Sequence, residues 1–193
     1  MYTVTFYSYK GGVGRTLALA NVAYTLATEG NKARVVVVDF DLEAPGLDLI
    51  APFTSAGAPP RGGVVEYISE YANSPKPDPE KLPSLLPYSC EVEGLRNLAF
   101  IPAGKKDGNY QQCLTCLNWE KFYRRQQGYL FFEHFKNKIE EEFSPDYLLV
   151  DSRTGLADVA GITTHQMADL VVLVFGLNRQ NLNGIKGCYQ SIV

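Results

Sequence analysis

The segment Tyr9-Lys10-Gly11-Gly12-Val13-Gly14-Arg15-Thr16 constrains this chain more than any other part of it. Before it, Tyr2 to Tyr9 is rich in aromatic and β-branched residues and reads as a buried strand. After it, Leu19, Val22, Ala23 and Leu26 recur at helical spacing until Gly30 supplies a stop. A glycine-rich loop between strand and helix lets successive backbone N–H groups curl around an anion, and the positive end of the helix dipole faces the same point. A cation at Arg15 can neutralise β and γ phosphates, and the Thr16 hydroxyl is placed to coordinate magnesium. A plain strand-to-helix turn would need neither. The expectation is therefore a phosphate loop whose contacts come from Lys10, Gly11, Gly12, Val13, Gly14, Arg15, Thr16 and Leu17.

Three more short apolar runs read as buried strands: Arg34 to Asp39 with its four consecutive valines, Tyr147 to Asp151, and Leu170 to Phe175. Leu98 to Pro102 is a weaker one, closed quickly by its proline. Val64 to Ala72 and Tyr129 to Phe143 carry helical patterns, the second ended by Ser144 and Pro145. Ala51 to Gly63 and Ser74 to Pro87, crowded with proline, glycine and serine, read as loops. Strands alternating with helices predict an α/β fold, a mainly parallel sheet with helices on both faces.

The chain has 193 residues, 46% of them hydrophobic, which is the size of one compact domain. Its net charge of -3 gives no general attraction for nucleic acid or acidic membranes. No apolar run reaches membrane-spanning length. The four cysteines, with no secretion-type leader, read as reduced thiols in a cytoplasm.

Asp39 and Asp41 follow the valine-rich strand, and Asp151 ends another, at the edge of an open α/β sheet where ligands collect. Lys10-Gly11-Gly12-Val13-Gly14, a basic residue and Thr16 together resemble the deviant phosphate loop of the MinD/ParA ATPases. The likeness continues through Asp39-Phe40-Asp41 and Asp151-Ser152-Arg153-Thr154-Gly155, and loosely through Ile101-Pro102-Ala103-Gly104. It implies an ATP- and magnesium-binding hydrolase that dimerises with ATP bound, Lys10 reaching the partner's nucleotide. Asp41 would orient the attacking water. Thr16, Asp39 and Asp151 would hold magnesium, and the Gly155 N–H would sense the γ-phosphate. Three departures stand out: Tyr9 stands where the general phosphate loop has glycine, as in many relatives; Arg15 replaces the usual lysine, a wider planar fork for a compact ammonium; and Arg153-Thr154 replaces the usual prolines. Arg153 is open to two readings, a stabiliser of transition-state charge or a surface ion pair.

Cys113 and Cys116 have the spacing of half a zinc site but no second pair completes it. His134 sits among Phe131, Phe132 and Phe135 and reads as core-flanking; Lys105-Lys106 and Arg124-Arg125 read as solvated surface. In the resembled family the DNA-contacting, membrane-binding and adenine-contacting segments lie beyond a helix like Leu182 to Val193. The expectation is thus a single domain, residues 1–193, lacking the C-terminal part of the family domain. Two functions remain open at this point. One is an ATP-driven homodimerisation switch for a macromolecular partner. The other is a nucleotide-binding module of a larger signalling or defence protein with little hydrolysis. DNA partition is disfavoured by the acidic balance, and a small-molecule kinase by the lack of a substrate constellation beside the loop.

Overall fold

The computed structural model describes residues 1–105, 107–155 and 158–192. Its elements follow in the order β1 Tyr2–Tyr7, α1 Arg15–Thr28, β2 Val35–Phe40, α2 Val64–Ala72, β3 Cys90–Val92 and β4 Leu95–Ile101. Then come α3 Gly108–Cys116, α4 Trp119–Arg125, α5 Gly128–Phe143, β5 Tyr147–Ser152, α6 Asp158–Gly161, β6 Leu170–Leu173 and α7 Arg179–Ile192. The strands form one six-stranded sheet ordered β3-β4-β2-β5-β1-β6. Every pairing is parallel except β3 with β4.

The alternation expected of strands buried on both faces is visible in β2 and β5. Val35, Val37 and Leu149 turn to the face covered by α1, joining Leu19, Ala20, Ala23 and Ala27. Val36, Val38, Phe40, Leu148 and Val150 turn to the other face, where α2, α4 and α5 supply Val64, Tyr67, Tyr71, Phe122, Phe131, Phe132 and Phe135. That second core is dominated by aromatic pairs, with Tyr71 and Phe131 centroids 4.7 Å apart and Phe122 edge-on to Phe131 at 5.2 Å. A third, smaller cluster packs Tyr7 against Ile185 and Cys188 of α7.

Two sequence expectations are corrected here. The buried stripe of α1 runs through Leu19, Ala20, Ala23 and Ala27, and Val22 is 38% exposed. The alanines let the helix lie close on the sheet, and this outweighs the larger apolar side chain one position away. Strand β4 begins at Leu95 rather than Leu98, and β3, antiparallel to it, has no readable signal because Cys90–Val92 is short and half polar. Helices α3 and α4 were also missed, since the apolar pattern through residues 108–125 is thin. Helix α2 has its expected bounds, with the Glu66 carboxylate accepting from the Gly63 N–H at 2.8 Å. The loops Ala51 to Gly63 and Ser74 to Pro87 contain only single 3-10 turns, at Phe53–Ser55, Pro79–Lys81 and Leu86–Tyr88 with its last residue just past the second loop. Lys106 and Val193 lie outside the described residues.

Candidate phosphate-binding site

The glycine-rich loop leaves β1 at Tyr7 and enters α1 at Arg15. Gly12 and Gly14 adopt φ of 75° and 88°, left-handed values that glycine takes without penalty and that let the chain curl. Gly14 is the N-cap of α1, which has no side-chain cap and no acid in its first turn. The leading N–H groups of that helix are thus left for an external acceptor, at the positive end of its dipole. A methyl group built on Gly11, Gly12 or Gly14 would meet nothing within 4 Å, so the loop is an open cradle. The buried Ser8 hydroxyl just before it, and Nη1 of buried Arg15, have no hydrogen-bond partner among the described residues. Thr3, Ser69 and Asn181 carry other such atoms, and Ser8 and Arg15 bracket the loop in sequence. The loop fits a phosphate group.

The acids come to it through strand register. Asp151 sits opposite Phe6 on one side and opposite Asp39 on the other, so two buried carboxylates stand on neighbouring strands. Asp39 accepts from the backbone N–H of Asp41 at 3.1 Å and of Leu47 at 3.3 Å. Burial, and then the nearby Asp151 charge, push its pKa up to about 8. Asp151 is also raised, first by burial, against the opposing pull of Arg15.

Arg15 does not extend over the cradle. Its side chain, 6% exposed, turns into the acids: Nε donates to Asp151 at 2.6 Å and Nη2 to Asp41 at 2.8 Å. Burial works against the guanidinium charge, but Asp151 and Asp41 more than compensate and hold its pKa above the ordinary arginine value. The Thr16 hydroxyl donates to the other Asp151 oxygen at 2.8 Å. The expected magnesium ligands Thr16, Asp39 and Asp151 are therefore neighbours, yet Arg15 is interposed and Thr16 and Asp151 are bonded to each other. Among the described residues no group of three or more His, Cys, Asp or Glu is disposed to hold a metal ion. The side chains as they stand fit phosphate and do not fit magnesium.

Gly155 lies beside the loop, but its N–H is directed to the Ser8 carbonyl at 3.4 Å, a long bond, rather than held ready for a γ-phosphate. Arg153 pairs with Glu43 at the surface, which is the second of its two readings. Lys10 is half-exposed on the loop and Leu17 exposed on the first turn of α1. His165 bonds the Ser191 carbonyl of α7 at 2.9 Å.

Several contributors had no readable signal. Tyr110 of α3 donates to the Leu42 carbonyl at 2.6 Å, clamping the segment after β2 that carries Asp41. Tyr9, which stands where general phosphate loops have glycine, packs on Gly184 of α7 so closely that a Cβ there would lie 2.0 Å from its ring. The Tyr7 hydroxyl donates to the Gly155 carbonyl at 3.1 Å and lies 3.1 Å from the Cys188 sulfur. Loop, second acidic segment and α7 are thus physically joined.

This architecture is the fold of the P-loop nucleotide-binding proteins of the MinD/ParA kind, reached from its sheet order and loop geometry. The solved structures it resembles include an ATP complex of a McdA variant from Cyanothece, at 16% identity and a TM-score of 0.66, covering 98% of this chain and 62% of that one. Septum site-determining protein MinD with Mg-ADP, from Pyrococcus horikoshii OT3, matches at 17% identity and a TM-score of 0.65, over 98% and 65%. The BceF tyrosine kinase domain matches at 20% identity and a TM-score of 0.62, over 98% and 62%. The chain spans less than two thirds of each of these three. No protein-family model matches it, and no curated protein does.

Two outcomes are expected. The folded Asp39 carboxyl keeps its proton to about pH 8, whereas the unfolded one releases it near the ordinary value of about 4. The native state binds the extra proton between these limits, so this residue's contribution falls as pH rises from about 4 through about 8, by an amount on the order of a few kcal/mol. Asp39→Asn should flatten that slope, and urea midpoints of both proteins at either end of the window check it; parallel curves would count against a buried, neutral Asp39. Gly184→Ala should cost about 1–3 kcal/mol by overpacking Tyr9. The cost should shrink in the Tyr9→Ala background, which a double-mutant cycle measures directly.

Proposed function

We propose that the chain binds ATP and acts as an ATP-controlled homodimerisation switch for a macromolecular partner, with hydrolysis ending the associated state. The observation that supports this best is the juxtaposition of an open, uncapped anion cradle with three buried or nearly buried carboxylates at the ends of adjacent parallel strands. Phosphoryl transfer asks for positioning and charge neutralisation more than for covalent chemistry, and such an edge supplies both. ATP, when bound, supplies the phosphoanhydride that is cleaved. The amides of Gly11 to Leu17 hold its phosphates, Asp41 orients water, and Lys10 crosses to the partner's site. ATP in McdA and Mg-ADP in MinD are bound by proteins of this fold, which supports a nucleotide here. Magnesium is expected on Thr16, Asp39 and Asp151 from the resemblance, but Arg15 holds one Asp151 oxygen and Thr16 the other, so no step runs through the metal.

A second reading, a nucleotide-held module with little turnover, is favoured by one contact. The Asp41 carboxylate that would orient water is bound to Arg15. Hydrolysis would have to wait for that pair to open, and breaking a buried pair is costly.

Phosphate release from ATP by the purified chain, set beside Asp41→Ala, separates the two readings. The switch predicts release that falls by about 100-fold or more in the variant. Release no faster than the variant's, with ATP binding demonstrated, leaves the module reading. Dimerisation is tested by light scattering with ADP and with a non-hydrolysable ATP analogue. The switch predicts a doubled mass with the analogue alone, lost in Lys10→Ala; a monomer mass under both conditions removes the dimer.

A further inference from the structure

We infer that Arg15 is a built-in counter-ion that takes the place of a divalent metal, so that nucleotide phosphates are held at this loop without magnesium. The inference rests on the nucleotide-binding reading above and concerns how the charge is managed there.

In a magnesium-dependent phosphate loop the metal bridges protein oxygens and phosphate oxygens while neutralising both. Here the guanidinium already occupies the protein half of that bridge. Nε and Nη2 take one oxygen each from Asp151 and Asp41, and Nη2 also lies 3.4 Å from the Thr16 hydroxyl. Thr16, the hydroxyl that would face a metal, is spent on Asp151. The third nitrogen, Nη1, is buried and has no acceptor among the described residues. One guanidinium edge is therefore satisfied by carboxylates, and the two N–H groups of Nη1 are left without one. The phosphates themselves are left to the loop amides and Lys10.

The side-chain type matters to this assignment. A planar fork with five N–H donors can face two carboxylates at once, which a single ammonium on a flexible stem cannot do with the same geometry. The charge balance agrees. Arg15 faces Asp41 and Asp151 directly, with Lys10 and the α1 N-terminus available for the phosphates. For a metal to enter, Arg15 would have to withdraw from a site where it is 6% exposed, leaving two carboxylates without their partner.

The test is calorimetric titration of the whole chain with ATP, once in magnesium chloride and once in EDTA, for the wild type and for Arg15→Lys. The expected result is a wild-type Kd that differs by less than about threefold between the two buffers, and an Arg15→Lys Kd that weakens by about tenfold or more in EDTA. The lysine variant frees Asp151 and Thr16 and so should acquire the need for metal. A wild-type Kd that itself weakens by about tenfold or more in EDTA overturns the inference and leaves ATP binding intact. A lysine variant that binds as well without metal as with it also overturns it, since something other than Arg15 would then be neutralising the phosphates. No binding by the wild type in either buffer overturns the nucleotide reading itself, and this inference with it. The wild-type comparison stands even if the variant does not fold.

Discussion

The structure depends on the position of β5, which pairs in parallel with β1 on one side and β2 on the other. That register sets Asp151 directly between the strand that launches the phosphate loop and the strand that ends in Asp39. A slip of one residue would turn every side chain of the strand to the opposite face, exchanging the α1 core for the aromatic one. Because both faces of these strands are buried, the register is held by two independent cores, and the carboxylates are located by packing rather than by their own contacts. The acids are also where the fold spends stability. Ionised groups in the interior are tolerated only when paired, and Arg15 supplies the partner for two of them while Asp39 avoids the cost by staying neutral.

The same arrangement explains why an arginine and not a lysine at position 15 changes the character of the loop. The backbone elements of an anion site, the left-handed glycines and the uncapped helix, are indifferent to that substitution. The side chain is not, because it has a second set of acceptors within reach behind the loop. Phosphate recognition and charge neutralisation, commonly assigned to one segment, are in this chain carried by groups with different dependencies: the first by backbone geometry, the second by a buried ion pair joining α1, β5 and the segment after β2.

Much of this was legible in the sequence. The loop, the four main parallel strands, α1, α2 and α5, and the convergence of Asp39, Asp41 and Asp151 follow from periodicity and from glycine and proline placement, which are local. What was not legible was tertiary. The rotation of α1 that exposes Val22 is decided by how closely Ala20, Ala23 and Ala27 lie on the sheet. The direction of the Arg15 side chain is decided by carboxylates far away in the chain. Tyr9 could be set aside as a substitution at a glycine position, because nothing local reveals Gly184 beneath its ring. Helices α3 and α4 have weak apolar stripes, yet Tyr110 of α3 reaches the backbone next to Asp41.

Helix α7 is tied to the site through more than one contact. It touches the loop at Gly184, through Tyr9, and the second acidic segment at Cys188, through Tyr7 and Gly155. These points are about one turn apart, on a helix of fourteen residues that is about 21 Å long. A third contact, His165 on the Ser191 carbonyl, holds the C-terminal end of the same helix. Moving the loop relative to the acidic segment would therefore strain α7 or carry it along as a unit, and the exposed Leu182 and Tyr189 beside its attachments would move with it.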